Sequence, residues 1–109
     1  MQKGGCVYVM TNYGRTTLYI GVTNNLERRV LEHKAGHGSR FTHRYALTDL
    51  LYFEVFPGIE AAILREKQLK NWHRDWKLNL IKTENPTLTD LAKDWFTPAD
   101  LVQARNTPG

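Results

Sequence analysis

The sequence predicts an α+β fold of the broad α/β class, with a small three-stranded antiparallel sheet flanked by helices. Two short runs of alternating, strand-like sequence, 5–10 and 17–22, lie on either side of a turn-like stretch and indicate a β-hairpin. A third apolar run, 50–56, is followed by a Pro-Gly pair, which is typical of a strand end. Helical patterns occupy most of the rest of the 109 residues, a length that suits one core and one domain.

The hairpin brings two tyrosines together. If the chain turns between Tyr13 and Gly14, residues equidistant from that turn face each other, and Tyr8 then pairs with Tyr19. Both phenols would lie on one face of the sheet, at cross-strand contact distance. Two neighbouring phenols can be ordinary packing or part of a site, and the hairpin alone leaves both interpretations open.

The first helix follows the hairpin directly. Asn24 is placed to cap its N-terminus, with Glu27 completing a capping box, and the helix runs to about Lys34, just before Gly36. Arg29 borders one face of this helix, which is formed by Leu26, Val30 and His33.

A long helical stretch is predicted from Ile59 to the break at Asn85-Pro86, with a further helix over 88–95. Five apolar residues mark its inner side: Ala62, Ile63, Leu69, Trp72 and Trp76. Glu66 lies among them, and a carboxylate on the apolar side of a helix is costly unless it has a partner. Two partners are open: Lys70 at i+4, or a bound cation.

Composition excludes several classes of protein. Cys6 is the single cysteine, which excludes an internal disulfide and a cysteine-based zinc site. No apolar run reaches the length of a membrane span, and Met1 leads straight into strand-like sequence without a signal peptide. These observations predict a cytoplasmic protein with no membrane partner. The net charge of +4 is compatible with nucleic-acid binding without being diagnostic of it.

Basic residues gather in three places with aromatic residues among them, as expected of a surface that holds phosphates and exposed bases. For the last group, a solvated helix face with its tryptophans turned inward is an equal alternative. The candidate nucleic-acid-binding residues are Arg28, Arg40, His43, Arg44, Lys67, Lys70, Arg74 and Lys77, and the aromatic residues are Phe41, Tyr45, Trp72 and Trp76.

Several of these residues also form a familiar order along the chain: Cys6-Val7-Tyr8, Tyr19-Ile20-Gly21, Arg29 after Asn25-Leu26, His33, and Glu66 in the later helix. In this order and spacing, they resemble the GIY-YIG nuclease superfamily. Within it, the chain is similar to the small stand-alone members related to the N-terminal nuclease domain of the excinuclease C subunit. The resemblance covers roughly residues 4 to 95. It departs from the family pattern where Cys6 replaces the leading glycine of the first motif, although Gly5 stands just before it.

The resemblance implies a GIY-YIG endonuclease-like fold, with the nuclease-like domain over 1–96 and a short C-terminal helix and tail over 97–109. It implies a single divalent ion, Mg²⁺ or Mn²⁺, held by Glu66, because an oxygen-rich and mostly hydrated site suits either metal. It further implies that Gly21 and Asn85 support the site. The catalytic residues that it implies are Tyr8, Tyr19, Arg29, His33 and Glu66.

These residue types suit phosphodiester hydrolysis. The planar fork of Arg29 can hold two phosphate oxygens. A phenol has an ordinary pKa near 10, so a tyrosine becomes a base only where nearby positive charge favours the phenolate. Arg29, the metal and His33 are the candidate sources of that charge. We expect Tyr8 to act as the base, directly or through a relay, and Tyr19 to orient water or phosphate.

The leading hypothesis is therefore a metal-dependent endonuclease that cuts DNA, structure-selective with weak sequence preference, in DNA repair or recombination. The alternative is a nucleic-acid-binding module that keeps the fold without catalysis, and the change at Cys6 motivates it. RNA is not excluded as a substrate, since nothing in the sequence separates it from DNA. A monomer or weak homodimer is expected.

Overall fold

The computed structural model describes residues 4–106, and it confirms the predicted α+β class. Three antiparallel strands form one sheet, and five helices surround it. In chain order, the elements are β1 (Gly5–Thr11), β2 (Leu18–Thr23), α1 (Leu26–Lys34), α2 (Arg40–Arg44), β3 (Asp49–Phe56), α3 (Ile59–Lys70), α4 (Arg74–Glu84) and α5 (Pro98–Asn106).

The sheet has β1 at its centre, paired with β2 on one side and β3 on the other, and a hydrophobic core covers each face. Because successive side chains of a strand point to opposite faces, β1 contributes to both cores. The first core lies against α1 and contains Cys6, Tyr8, Met10, Leu26, Val30, Leu47, Leu50 and Ala92. The second lies against α3 and α4 and contains Val7, Val9, Ile20, Leu51, Tyr52, Ala62, Leu69 and Ile81.

The register of the hairpin differs from the sequence-based expectation by two residues. Tyr8 lies opposite Gly21, and Tyr19 lies opposite Met10. The loop is wider than a tight turn because the side-chain oxygen of Asn12 accepts hydrogen bonds from the backbone N–H groups at 16 and 17, at 2.9 and 3.1 Å. A shift of two residues preserves the face of every side chain, so both tyrosines still point to the same side.

Helix α1 begins one residue later than expected. Asn25, not Asn24, is the N-cap, and its side-chain oxygen accepts a hydrogen bond from the backbone N–H of Arg28 at 3.2 Å. Gly36 follows the helix with a φ of +87°, a left-handed conformation that favours glycine. The predicted inner face is confirmed, since the buried residues of α1 are Leu26, Val30 and His33.

The predicted long helix from Ile59 is two helices, α3 and α4, with a break between Asn71 and His73. The backbone N–H groups of Asn71 and Trp72 bond to carbonyl oxygens three residues back, which tightens the last turn and ends α3. The break changes which residues face the core. Trp76, expected on the inner side, is 56% exposed.

The helix predicted over 88–95 does not form. Leu88 has a φ of +54°, which interrupts a right-handed helix. The carboxylate of Asp90 instead accepts hydrogen bonds from the backbone N–H groups of Leu50 and Ala92, at 2.9 and 3.0 Å. The segment is therefore attached to β3 by Asp90 and by the backbone N–H of Leu91, which donates to the carbonyl oxygen of Leu50 at 2.8 Å, and it does not form a helix of its own.

The last helix, α5, lies against α1 and has no buried residue. The domain boundary expected after residue 96 stays a prediction. Within residues 4–106, no helix combines the length and apolar character needed to cross a membrane.

Candidate active site

Four of the five expected catalytic residues lie together on the α1 side of the sheet: Tyr8, Tyr19, Arg29 and His33. The rings of Tyr8 and Tyr19 are 6.3 Å apart between centroids. The His33 ring lies 5.5 Å from the Tyr8 ring and 5.8 Å from the Tyr19 ring. Two adjacent strands supply the phenols, and one face of α1 supplies the other two side chains.

Tyr8 is completely buried at the centre of this group. Its phenolic oxygen lies 2.9 Å from Nε2 of His33 and accepts a longer hydrogen bond, 3.4 Å, from Nε of Arg29. Burial raises the pKa of Tyr8 to about 12, and the hydrogen bond from Arg29 only partly opposes that effect. The phenolate is therefore not preformed at neutral pH in this structure.

The absence of a side chain at Gly21 leaves room for the Tyr8 phenol. A β-carbon at Gly21 would lie 2.5 Å from the hydroxyl oxygen and the adjoining ring carbon of Tyr8. Any other residue would push the phenol away, so the backbone of β2 can approach it only where a side chain is missing. Gly21 thus leaves room for the phenol, and its supporting role in the site stays a prediction.

His33 is neutral in this environment. It is 2% exposed, and burial together with the positive charge of Arg29 lowers its pKa to about 4. The structure therefore corrects one expectation: His33 does not supply positive charge to the Tyr8 phenol. Its ring nitrogens instead make hydrogen bonds, Nε2 with Tyr8 and Nδ1 with the hydroxyl of Thr42 at 3.1 Å.

Arg29 connects the buried phenol with an open cleft of about 500 Å³. Its Nη1 donates to the carboxylate of Glu32 at 3.0 Å, while its Nε contacts Tyr8. A guanidinium carries five N–H donors, so donors remain for a phosphate in the cleft. Other residues that line the cleft are Val22, Thr23, Asn24, Asn25, Arg28, Glu32 and Ile59.

Sequence reasoning missed Glu32 and Thr42. Glu32 lies three residues after Arg29 and four after Arg28, and this spacing signals an ion pair with either arginine. Thr42 carried no such signal, because α2 is a helix of five residues whose position beside His33 depends on the tertiary fold.

Glu66 lies apart from the tyrosine group. It is on α3, whose buried residues Ala62 and Leu69 belong to the core on the other face of the sheet. Its side chain is 15% exposed, and its carboxylate pairs with Lys70 at 3.0 Å, the ion pair that the sequence left open as one alternative. Among residues 4–106, no hydrogen bond or ion pair joins Glu66 to Tyr8, Tyr19 or Arg29.

The side of α3 that carries Glu66 nevertheless faces β2, the edge strand of the sheet that adjoins the cleft. Arg65 bonds to Glu54 of β3 at 2.8 Å, which fixes the side of α3 that carries Arg65 toward β3. The buried residues Ala62 and Leu69 mark the line of α3 that faces the sheet. At about 100° per residue, Arg65 and Glu66 lie on opposite sides of that line, so Glu66 is on the side toward β2. Ile59, at the start of α3, already lines the cleft beside Arg29. The cleft therefore reaches from the tyrosine side of the sheet to α3.

The carboxylate chemistry fits one mostly hydrated divalent ion. Within the described residues, no group of three or more His, Cys, Asp or Glu side chains is arranged to hold a metal. A site built on Glu66 would need water and phosphate oxygens for the rest of its shell, which Mg²⁺ accepts. The Lys70 side chain is 52% exposed, so its ammonium group can leave the carboxylate by turning toward solvent.

Asn85 connects the end of α4 to β3. It is 4% exposed, and its amide donates to the carbonyl oxygens of Leu51 and Thr89 at 3.0 and 2.8 Å. Its own oxygen accepts from the backbone N–H of Thr89 at 3.1 Å. These bonds fix the end of α4 to β3, and the supporting role expected of Asn85 stays a prediction.

The expected nucleic-acid-binding residues fall into two groups, separated by the sheet. The first group, on α1 and α2, lies on the tyrosine side: Arg28, Arg40, His43 and Arg44. The second group, on α3 and α4, lies on the other side: Lys67, Lys70, Arg74 and Lys77. Arg74 donates to the carbonyl oxygen of Arg15, and Lys77 lines a small apolar pocket.

The aromatic residues of α2 continue the tyrosine group to the surface. Phe41 lies 6.0 Å from the Tyr19 ring and 4.8 Å from Tyr45, between ring centroids. Phe41 and Tyr45 are 41% and 45% exposed, and the guanidinium of Arg44 lies 5.6 Å from the Tyr45 ring. Exposed rings beside positive charge are a suitable surface for bases and phosphates.

The fold accommodates Cys6, which replaces the leading glycine of the first family motif. Its side chain is buried in the first core, on the same face as Tyr8. The close approach of α3 to β1 occurs one residue earlier, where a β-carbon at Gly5 would lie 2.8 Å from that of Ala62. The backbone contact that requires a glycine is therefore met by Gly5.

Comparison with known proteins shows the family to which this chain belongs. A family model described as the GIY-YIG catalytic domain matches residues 4–79. A UPF0213 protein of Natronomonas pharaonis is 40% identical over 78 residues, which cover 72% of this chain and 91% of that protein. A UPF0213 protein of Pediococcus pentosaceus is 33% identical over 87 residues, covering 80% and 92%. One of Clostridium perfringens is 39% identical over 69 residues, covering 63% and 74%.

No solved structure matches the chain. The family match supports a nuclease-type function, and a nuclease domain implies a nucleic-acid substrate. GIY-YIG nucleases generally depend on a divalent metal. On the match over residues 4–79, this chain belongs to the GIY-YIG family of nucleases.

Proposed function

We propose that this protein is a metal-dependent endonuclease that hydrolyses phosphodiester bonds of DNA with weak sequence preference, in DNA repair or recombination. The observation that carries the proposal is the contact of Arg29 with both the buried Tyr8 phenol and the open cleft. A phosphate bound there would lie beside Tyr8, whose phenol also has a proton acceptor, Nε2 of His33, at 2.9 Å.

Arg29 is the first group to act in this proposal. A phosphate in the cleft offers two oxygens to its planar guanidinium, which binds them more strongly than it binds the neutral phenol. The contact with Tyr8 is already long, at 3.4 Å, so little is lost when the guanidinium turns to the phosphate. This movement opens the phenolic oxygen to water.

Tyr8 then acts as the base in a concerted transfer. A free phenolate would be costly, because burial raises the pKa of Tyr8 to about 12. The phenol avoids that state if it gives its own proton to His33 while it takes the proton of the attacking water. Tyr19, half-buried and in ring contact with both Tyr8 and His33, is placed to orient that water.

Glu66 is the proposed ligand of one divalent ion, Mg²⁺ or Mn²⁺. When bound, such an ion would neutralise charge on the phosphate and stabilise the leaving oxygen. The support is the position of Glu66 on the β2 flank of α3, together with the cleft that reaches Ile59 at the start of that helix.

DNA binding is proposed to use mainly the basic and aromatic surface of α2, because Phe41 contacts Tyr19 directly. Weak sequence preference follows from contacts of this kind, which hold phosphates and the faces of bases. A monomer or weak homodimer stays a prediction. The alternative of a non-catalytic module loses the support of Cys6, since that side chain is accommodated in the core.

The experiment incubates the purified protein with supercoiled plasmid, single-stranded DNA and RNA, each with Mg²⁺, Mn²⁺ or a chelator. Metal-dependent cleavage of DNA is expected, with a loss of about 100-fold or more in Glu66→Gln and Arg29→Ala. Glu60→Gln and Arg105→Ala are matched controls, because both side chains are exposed and outside the cleft.

The outcomes separate the alternatives. Cleavage that survives in both Glu66→Gln and Arg29→Ala would identify a contaminating nuclease and contradict the proposal. Salt-sensitive binding to every substrate without any cleavage would establish the non-catalytic module instead. Cleavage of RNA alone would keep the catalytic centre and overturn DNA as the substrate.

A further inference from the structure

Thr42 is a buried polar residue that the proposed reaction leaves without a role. It is 3% exposed on α2, and its hydroxyl oxygen lies 3.1 Å from Nδ1 of His33. The next step along the same line is the 2.9 Å contact between Nε2 of His33 and Tyr8. Thr42, His33 and Tyr8 therefore form one buried chain of hydrogen bonds.

The direction of this chain follows from the chemistry of its members. Arg29 can only donate, so the phenolic oxygen of Tyr8 is the acceptor in their contact. The single phenolic hydrogen then has one partner among the described residues, Nε2 of His33. A neutral imidazole whose Nε2 accepts carries its hydrogen on Nδ1, the nitrogen that faces Thr42.

The hydroxyl oxygen of Thr42 can accept the hydrogen on Nδ1 of His33. Its hydroxyl hydrogen is donated to Ser39, whose carbonyl oxygen lies at 3.2 Å and whose hydroxyl oxygen lies at 3.0 Å, and its oxygen accepts from the backbone N–H of Ser39 at 3.0 Å. A hydroxyl oxygen has two lone pairs, so one remains for His33. The ring is also held from the side, because a β-carbon at Gly38 would overlap the imidazole, which shows how closely that backbone approaches it.

We propose that Thr42 is a positioning residue that holds His33 as the Nδ1–H tautomer, with Nε2 free to take the proton of Tyr8. The proposal rests on the proposed nuclease function for its consequence, although the tautomer itself is a property of the free protein. In the reaction, the O–H bond of the attacking water breaks and its proton passes to the Tyr8 oxygen. The proton of Tyr8 passes to Nε2, and His33 becomes an imidazolium that still donates from Nδ1 to Thr42.

The opposite tautomer would block this route. With the hydrogen on Nε2, His33 would donate to Tyr8, and the phenolic hydrogen would have no acceptor among the described residues. An unsatisfied buried donor costs about 1–3 kcal/mol. The hydroxyl of Thr42 in the short helix α2 thus determines whether Nε2 of His33 can accept the proton of Tyr8.

The test is the tautomer of His33, read from ring nitrogen chemical shifts in ¹⁵N-labelled full-length protein at neutral pH, without DNA or metal. The Nδ1–H form is expected in the wild type and in Thr42→Ser, which keeps the hydroxyl. Thr42→Val removes it at nearly the same shape, and the Nε2–H form should then become detectable. Ser39→Ala is the control for a purely structural role: it removes the side-chain cap of α2 at Thr42 N and the 3.0 Å contact between the two hydroxyls, while the Thr42 hydroxyl keeps the carbonyl oxygen of residue 39 as its acceptor.

The Nε2–H form or the imidazolium in the wild type would overturn the proposal. So would a tautomer in Thr42→Val unchanged from the wild type, or the same change in Ser39→Ala. With active protein, kcat should fall about 10- to 100-fold in Thr42→Val with KM nearly unchanged, and Thr42→Ser should restore most of it. Because the nitrogen shifts need no activity, a wrong tautomer and an absent nuclease activity are distinguishable results.

Discussion

Gly21 lies directly opposite Tyr8 in the hairpin, and the missing side chain of the glycine is the space that the phenol occupies. This relationship explains why a strand position that points into the first core carries no side chain. It also fixes the phenolic oxygen between β2 and α1, where Arg29 and His33 reach it. The contact can be tested apart from any activity.

Gly21→Ala is expected to destabilise the protein by about 1–3 kcal/mol, because its methyl group would overlap the Tyr8 hydroxyl. Gly14→Ala is the matched control. A β-carbon at Gly14 would have its nearest neighbour at 3.8 Å in an exposed loop, so a change within about 0.5 kcal/mol is expected. Urea unfolding of both variants measures the difference, and equal stabilities would show that the phenol is not held as described.

Acid should weaken the fold through His33. Its pKa is lowered from an ordinary 6.5 to about 4, so the folded state binds fewer protons than the unfolded state between these values. This contribution to stability is fully present above pH 6.5 and is lost as the pH falls toward 4, by up to about 3 kcal/mol.

The measurement compares the free energy of unfolding at pH 7 and at pH 4.5 in the wild type and in His33→Gln. The variant, which cannot titrate at this position, should lose less stability on acidification. His37→Gln is the control, since that histidine is exposed, and it should follow the wild type. A variant as acid-sensitive as the wild type would contradict a buried, neutral His33.

The two tyrosines should differ in their effect on cleavage. Tyr8→Phe removes the hydroxyl that receives the proton of water, and a loss of about 100-fold or more in kcat is expected. Tyr19→Phe removes an orienting group, and about tenfold is expected. Tyr13→Phe, 93% exposed in the hairpin loop, should match the wild type. A greater loss in Tyr19→Phe than in Tyr8→Phe would reverse the assignment of the base.

The two basic groups should contribute unequally to DNA binding. Each phosphate contact adds about one to the slope of log affinity against log salt concentration. The double variant Arg40→Ala/Arg44→Ala should therefore lower the slope by about two, because α2 adjoins Tyr19 through Phe41. Lys67→Ala/Arg74→Ala should lower it less, since both residues lie across the sheet. Equal decreases would mean that DNA contacts both sides.

The sequence predicts most of this fold because its signals are local. Alternation identified the two strands of the hairpin, the apolar run before Pro57-Gly58 identified the third strand, and the inner face of α1 was predicted residue by residue, including His33. The hairpin register was wrong because the side chain of Asn12 widens the loop, which a rule based on tight turns does not include. The predicted helix over 88–95 failed for a tertiary reason, since Asp90 bonds to β3 instead.

The site was less accessible to sequence reasoning than the fold. The residues around Tyr8 could be identified by order and spacing, yet their protonation depends on burial, which is a property of the folded chain. Thr42 meets His33 only because α2 folds back onto α1. The position of Glu66 relative to the cleft likewise depends on how α3 lies on the sheet.

The central claim is that Glu66 and the tyrosine group act on one phosphate across the edge of β2. The most direct measurement is the broadening of amide signals by Mn²⁺ in ¹⁵N-labelled protein that carries a short DNA. We expect broadening at Gly21, Val22 and Arg29 as well as along α3, and its disappearance in Glu66→Gln. Broadening confined to α3, or unchanged in Glu66→Gln, would show that the metal and the phenols do not share a site.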